Sequence, residues 1–399
     1  MLFEFNIYSS LLLIGVCQGI VYSSLLLWRG KREGSVADFL MAAILITLSI
    51  YVSQWMLGFA GWYDVKDWHT TFMFYMDFDL PYLLGPLMYC FFLASTNRKF
   101  SLPFYWKHFV LALLFILFVI GVAVYDFVYW KSWLGNPFLG FDGTRGPMED
   151  YLNEDSIPIL TLVWQLARLH LLVYVGLTIR LFWNYKKYLN NNFSNTEAID
   201  MQWYRNVLLL FAGALIVELL KQLINLFFDL SYIDTWYFYF VTSIVIYLLG
   251  IQAYKQPSRQ VVELSFQPNQ IEQTLILEEK SNHLEPELQR LLQKLQHLME
   301  MEKPYLNSDL NLRSLANQLK TNTNYLSKVI NHTDATNFND YINRYRVQEM
   351  QQRLKNGAHK EFTFLSLALE CGFNSKATFN RAFKKHTGKS PRAYIEQLE

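Results

Sequence analysis

Apolar residues run through the first two thirds of the chain in long blocks, with polar residues collected between them. The blocks fall at 7–28, 37–61, 72–95, 109–130, 157–183, 207–230 and 233–254. A bilayer core of about 30 Å is crossed by roughly 20 apolar residues of helix, so each block predicts one span, seven in all. Pro81, Pro86 and Pro158 fall inside or beside blocks; membrane helices tolerate this because neighbours satisfy the freed carbonyls. Trp62, Tyr63, Trp106, Trp130, Trp183 and Tyr204 gather near block ends, where amphipathic rings suit the membrane–water interface.

The basic residues between blocks alternate. Arg29, Lys31 and Arg32 follow the first block, Arg98, Lys99 and Lys107 the third, Lys186, Lys187 and Arg205 the fifth, and Lys255 and Arg259 the seventh. The other loops carry only Lys66, then Lys131 and Arg145, then none. Lys and Arg in short loops favour the cytoplasmic side. The expectation is a multi-pass protein of a bacterial cytoplasmic membrane, N-terminus outside and C-terminal region inside. The first block lacks a basic leader and a small-residue cleavage site, so it reads as a retained span rather than a signal peptide.

After residue 254 the pattern changes. Residues 255–283 are polar, without period, and carry Gln-Pro twice, which reads as a linker. Val261, Val262 and Leu264 within it suit either a short strand or a membrane-edge contact. Then Leu284, Leu288, Leu291, Leu295 and Leu298 recur at heptad spacing for about two repeats. Two readings stay open: an amphipathic helix packed on the tail, or a helix that forms a homodimer. Leu292 and Met299 widen the stripe towards the first.

The tail repeats one device. SLANQLKTNTNYLSKVIN at 314–331 and SLALECGFNSKATFNRAFKK at 366–385 share an order of parts. In each, a short apolar helix leads to a turn, a capping residue (Asn322 or Thr323; Asn374 or Ser375) and a second helix with apolar anchors four apart. The anchors are Leu326 and Ile330, then Phe379 and Phe383, with Ser327–Lys328 and Asn380–Arg381 on the outer faces. Gly372 suits a tight turn; the first unit has Lys320 there. Phe338, Tyr341, Ile342, Tyr345 and Leu354 predict a helix that spaces the units. Such a pair of helix-turn-helix units, at about 312–331 and 364–386, can place helices in the major groove of double-stranded DNA. Lys384, Lys385, Lys389 and Arg392 suit its phosphates.

Composition fits this division. The 399 residues are 52% apolar and 17% charged, with a net charge of +1. From Pro304 onward, however, 14 Lys/Arg face 8 Asp/Glu, a charge of +6, leaving −5 for the rest. A basic end joined to an apolar one fits DNA at one end and a lipid bilayer at the other. Cys17, Cys90 and Cys371 are scattered, with neither a disulfide framework nor metal-ligand spacing. No metalloprotease, phosphate-loop or nucleophile-elbow motif occurs, so no enzyme, metal or cofactor is expected.

The tail resembles the DNA-binding domain of the AraC/XylS family of bacterial transcription regulators. The residues that carry it are YLNSDLNLRSLANQLKTNTNYLSKVIN, FNDYINRYRVQEM and ALECGFNSKATFNRAFKKHTGKSPRAYI. The resemblance implies seven helices over 284–399, with two reading helices in successive major-groove segments. It implies base-facing positions at Asn324, Ser327 and Lys328, and at Lys376, Ala377, Asn380 and Arg381. The sequence departs at Lys320 and at Asp334–Ala335, where the family commonly has glycine. The apolar region, 1–254, is similar in architecture to the seven-span sensor regions fused to such domains.

Charges inside the blocks mark a candidate sensor. Asp77 and Asp79 lie in the third block, Arg168 in the fifth, and Glu218 and Lys221 in the sixth. Intramembrane ionisable groups are costly and face each other or a polar cavity. A structural ion-pair network, a pocket for an unknown ligand and an ion path all stay open. The expected whole is all-α: a seven-helix transmembrane bundle, a linker and a soluble helical domain. It would bind promoter DNA in response to an external or membrane signal. The alternative is a transporter or channel with a regulatory DNA-binding tail; the apolar blocks show no convincing internal repeat.

Overall fold

The protein is described from a computed structural model covering residues 4–397, apart from 77, 98–99, 154–157, 198–201, 226, 229, 256–265 and 267–284. Among the described residues every regular element is helical, and two β-bridges stand alone. The chain divides into two compact units. One comprises Met1–Phe182 with Gln202–Ser265, the other Trp183–Met201 with Phe266–Glu399.

In the first unit, α1 (Ile7–Glu33) and α2 (Val36–Phe59) form a hairpin. Gly34, at φ 67°, closes the end of α1 in the left-handed conformation. The long apolar helices α8 (Gln202–Asn225) and α9 (Tyr232–Lys255) follow later in the chain. α1 packs on both α2 and α9. Small residues allow the close approach: a side chain on Gly15 would strike Ser243, and one on Gly19 would strike Ser49. Such backbone proximity brings many van der Waals contacts along the helices. The three helices are also pinned at one end. Arg29 makes two 2.7 Å bonds to Asp38 and donates to the Tyr254 carbonyl at 2.9 Å.

Among the described residues, six helices are long and apolar enough to cross a membrane. The block at 72–95 departs from the expected continuous span. It holds two helices, α3 (Trp68–Tyr75) and α4 (Leu84–Thr96), the second apolar but only 13 residues long. Leu80 and Tyr82, either side of Pro81, have φ of 42° and 66°. Proline lacks the amide and crowds the preceding residue out of the helical region, so the chain breaks there. α5 (Val110–Val124) continues into a π-helical stretch, Tyr125–Trp133. That stretch buries Asp126 fully. Its carboxylate accepts bonds from Tyr75 Oη at 2.6 Å and from the amides of Met148 and Glu149, both at 2.9 Å. Those amides open α6 (Pro147–Asn153), so the carboxylate satisfies orphan N–H groups at a helix start.

α7 (Pro158–Asn192) is one continuous helix of 35 residues. Its last turns belong to the second unit, where Tyr185 and Tyr188 pack against Phe266, fully buried, with ring centroids 5.4 and 5.5 Å away. Val261, Val262, Leu264 and Leu284 lie outside the described residues. α10 (Glu285–Met301) follows; its Leu295 and Met299 are fully buried, and Leu288, Leu291, Leu292 and Leu298 pack on the same core. The described leucines of the stripe thus pack, at least in part, on the domain itself, which is compatible with the first of the two readings.

Candidate nucleic-acid interface

The first helix-turn-helix unit is α11 (Leu312–Gln318) and α12 (Thr323–Asn331). Asn311 caps α11, its side chain accepting from the Ser314 amide at 2.9 Å. Asn322, rather than Thr323, caps α12 by accepting from the Tyr325 amide at 2.9 Å. Leu326, Val329 and Ile330 are buried, which turns Asn324 out to solvent and leaves Ser327 and Lys328 half-exposed.

The second unit is α14 (Phe364–Glu370) and α15 (Lys376–Thr387). Ser375, rather than Asn374, caps α15 at 3.2 Å from the Thr378 amide. Phe379 and Phe383 are buried, as their spacing predicts, and Lys376, Ala377, Asn380, Arg381 and Lys384 face solvent. Both turns close with the same bond. The Thr321 amide reaches the Ala316 carbonyl at 2.9 Å, and the Phe373 amide reaches the Ala368 carbonyl at 3.0 Å. The second turn is one residue longer. It buries Phe373, whose ring meets Phe379 at 5.5 Å. Gly372, at φ 88°, is required there: a Cβ would lie 2.4 Å from the Tyr305 carbonyl oxygen. Burial pushes the neighbouring Cys371 thiol up to about 12, which makes it a packing group rather than a nucleophile.

α13 (Phe338–Lys355) joins the units. Phe338, Tyr341 and Ile342 sit in the first core, and Val347, Met350 and Leu354 in the second. One helix thus holds both units, as the spacer reading expects. Arg346 lies on the same helix and is 1% exposed. Its guanidinium donates to the carbonyls of Tyr305 at 2.7 Å and Asn307 at 2.9 Å, and to Ser194 Oγ at 3.1 Å. Burial lowers its affinity for the proton, to a value of about 10, so it stays charged at neutral pH. The sequence reading missed this residue, although Ile342, Arg346 and Met350 fall four apart on one stripe.

The phosphate candidates separate. Lys384 is exposed, whereas Lys385 points its ammonium at Asp340, 2.6 Å away. Burial raises the Asp340 carboxyl, but the bonds from Lys385 and Thr336 outweigh it and hold the group below the usual carboxylate range. Lys389 bonds to the Gln397 side chain, and Arg392 pairs with Glu396 at 3.3 Å.

The charged candidates of the apolar region fall as follows. Asp77 lies outside the described residues, as does the side chain of Glu218. Asp79 and Arg168 are half-buried, and the Lys221 ammonium lies over the Tyr239 ring at 5.2 Å. On the same helix as Arg168, His170 packs edge-on to Tyr82, 5.2 Å between centroids. His108 Nδ1 lies 2.7 Å from Tyr174 Oη. A separate cleft of about 510 Å³, lined by Lys66, Trp68, Phe72, Tyr75, Lys131 and Phe138 among others, was not foreseen.

Residues 315–397 match the family described as "Helix-turn-helix domain". Over 90 residues the chain is 33% identical to the "Uncharacterized HTH-type transcriptional regulator YijO" of Escherichia coli (strain K12), covering 23% of this chain and 31% of that protein. It is 28% identical over 90 residues to the "Probable transcription factor PqrA" of Proteus vulgaris, covering 23% of this chain and 71% of that one. It is 25% identical over 92 residues to the "Msm operon regulatory protein" of Streptococcus mutans serotype c, covering 23% and 32%. The match thus spans about a third of the Escherichia coli relative. No solved structure matches. The C-terminal part of the chain is a helix-turn-helix domain of the AraC type, preceded by several apolar helices.

Proposed function

We propose that the chain is a membrane-embedded transcriptional regulator whose cytoplasmic tail reads promoter DNA. The observation that carries this is the two-faced α15: Phe379 and Phe383 lock one face in the core while Lys376, Ala377, Asn380 and Arg381 line the other. A helix so held can enter the major groove, where Arg pairs with guanine and Asn with adenine edges. Asn324, Ser327 and Lys328 act in the same way on α12, and Lys384, with Lys389 and Arg392, contacts phosphate. The names of the relatives support regulation of transcription.

The apolar helices and the alternation of Lys and Arg between them support a multi-pass membrane protein with its tail inside. The hydrogen bonds between residues 193–194 and the tail domain support placing the end of α7 and the tail on one side of the bilayer. The ionisable groups Asp77, Asp79, Arg168, Glu218 and Lys221 form the sensor in this reading. A ligand entering there replaces one internal partner and shifts the bundle by its difference in affinity for two states.

The test is selection of duplex DNA on the full chain held in lipid nanodiscs. A recovered sequence that binds with strong salt dependence, and whose preference Arg381→Ala relaxes, is expected. Recovery of no preferred sequence would overturn the reading.

A further inference from the structure

The segment that leaves the end of α7 runs onto the DNA-binding domain and finishes at its second reading helix. Its root is buried. Ser194 is 0% exposed; its amide donates to the Leu310 carbonyl at 3.1 Å, and its hydroxyl takes the Arg346 guanidinium at 3.1 Å. The Asn339 side chain donates to the carbonyls of Phe193, at 3.2 Å, and Ser194, at 2.8 Å. Three residues later the Glu197 carboxylate accepts a 2.6 Å bond from Ser375 Oγ and another from Thr378 Oγ1. Ser375 is the cap of α15 and Thr378 stands in its first turn. Beside this contact, Lys186, Asn190 and Thr196 line one side of a polar cleft of about 300 Å³, and Thr378, Arg381 and His386 line the other.

We propose that residues 193–197 are a built-in competitor for DNA, in which Glu197 occupies the seat on Ser375 and Thr378 that a backbone phosphate takes when α15 enters the groove. The chemistry of the seat suits either occupant. Two hydroxyls and the positive end of a helix favour any anion. A carboxylate there excludes a phosphate by like charge and by volume, and Asn190 and Lys186 narrow the approach to Arg381. The root and the tip differ in kind. The root rests on a buried guanidinium that breaks only with the domain. The tip is a pair of exposed charge-assisted bonds, weak enough to exchange for phosphate.

The competitor rests on the regulator reading above.

The test compares the full chain with Glu197→Gln, both in nanodiscs, binding a labelled random-sequence duplex. Glu197→Gln keeps the shape of an exposed side chain and removes its charge, so folding is not at issue. About 3- to 30-fold tighter binding by Glu197→Gln is expected, since a charge-assisted bond outweighs a neutral one by about that much. Glu287→Gln, which neutralises another exposed acid of the domain, is expected to change affinity little and so controls for net charge. Equal affinity of wild type and Glu197→Gln, with binding still weakened by Lys384→Ala, overturns the competitor and leaves the DNA-reading function standing. Equal gains from Glu197→Gln and Glu287→Gln also overturn it, as a general charge effect. If no variant binds DNA in a salt-dependent way, the regulator reading falls, and the competitor with it.

Discussion

Lys320 and Gly372 hold the same corner of the two helix-turn-helix units, and both are left-handed, at φ 52° and 88°. For a side-chain-bearing residue this conformation costs about 1 kcal/mol, and for glycine almost nothing. Lys320→Gly is therefore expected to leave stability unchanged or raise it by up to about 1 kcal/mol, because the relieved strain is partly offset by unfolded-state entropy. Gly372→Ala is expected to destabilise by about 2 kcal/mol or more, since its Cβ meets backbone carbonyls as well as the wrong φ. Denaturant midpoints followed by hydrogen exchange in the tail measure both. A milder effect for Gly372→Ala than for Lys320→Gly would contradict the account.

Arg346 is expected to be the most sensitive polar residue of the domain. Arg346→Met leaves the carbonyls of Tyr305 and Asn307 and the Ser194 hydroxyl without their donor, a loss of about 1–3 kcal/mol for each group left unpaired. Arg346→Lys should not rescue it, because one ammonium lacks the spread of the guanidinium fork. Protease resistance of the tail in membrane vesicles is the measurement; a stable Arg346→Met tail would refute the anchoring role.

Base and phosphate contacts separate by their salt behaviour. Arg381→Ala should cost about 1–3 kcal/mol on the preferred sequence and relax one base position. Lys384→Ala should weaken all sequences alike and lower the salt slope by about one unit. Lys385→Ala should disturb the domain as well, because its ammonium is engaged by Asp340. Titrations at several salt concentrations distinguish the three; the same slope for Lys384→Ala and wild type would reject the phosphate assignment.

The sensor proposal is tested at Arg168. With Arg168→Ala the protein should still insert and accumulate, while promoter output stops following the stimulus. Abundance in the membrane fraction is compared with reporter output. A fall in both together favours a purely structural ion pair.

Much of this architecture is legible in the sequence, for identifiable reasons. Long apolar blocks and repeated anchors such as Leu326 and Phe379 report burial directly, because few alternatives can cover so much apolar surface. The break in the third block was not read, although Pro81 and its preceding Leu80 supply the cause. The caps were narrowed to pairs and not resolved: Asn322 and Thr323, or Asn374 and Ser375, have similar acceptors, and the length of the turn decides between them. Arg346 and Glu197 were missed outright. Their roles depend on Ser194 and Ser375, partners more than 150 residues away, and no local period encodes such a meeting.

The central claim is that this chain reads DNA while embedded in a membrane. Chromatin mapping of the full-length protein, tagged at its tail and recovered from the membrane fraction of intact cells, tests it most directly. The account predicts discrete peaks upstream of genes, lost when Asn380 and Arg381 are both replaced by Ala. Recovery of no discrete peaks, or of the same peaks from the double variant, would contradict it.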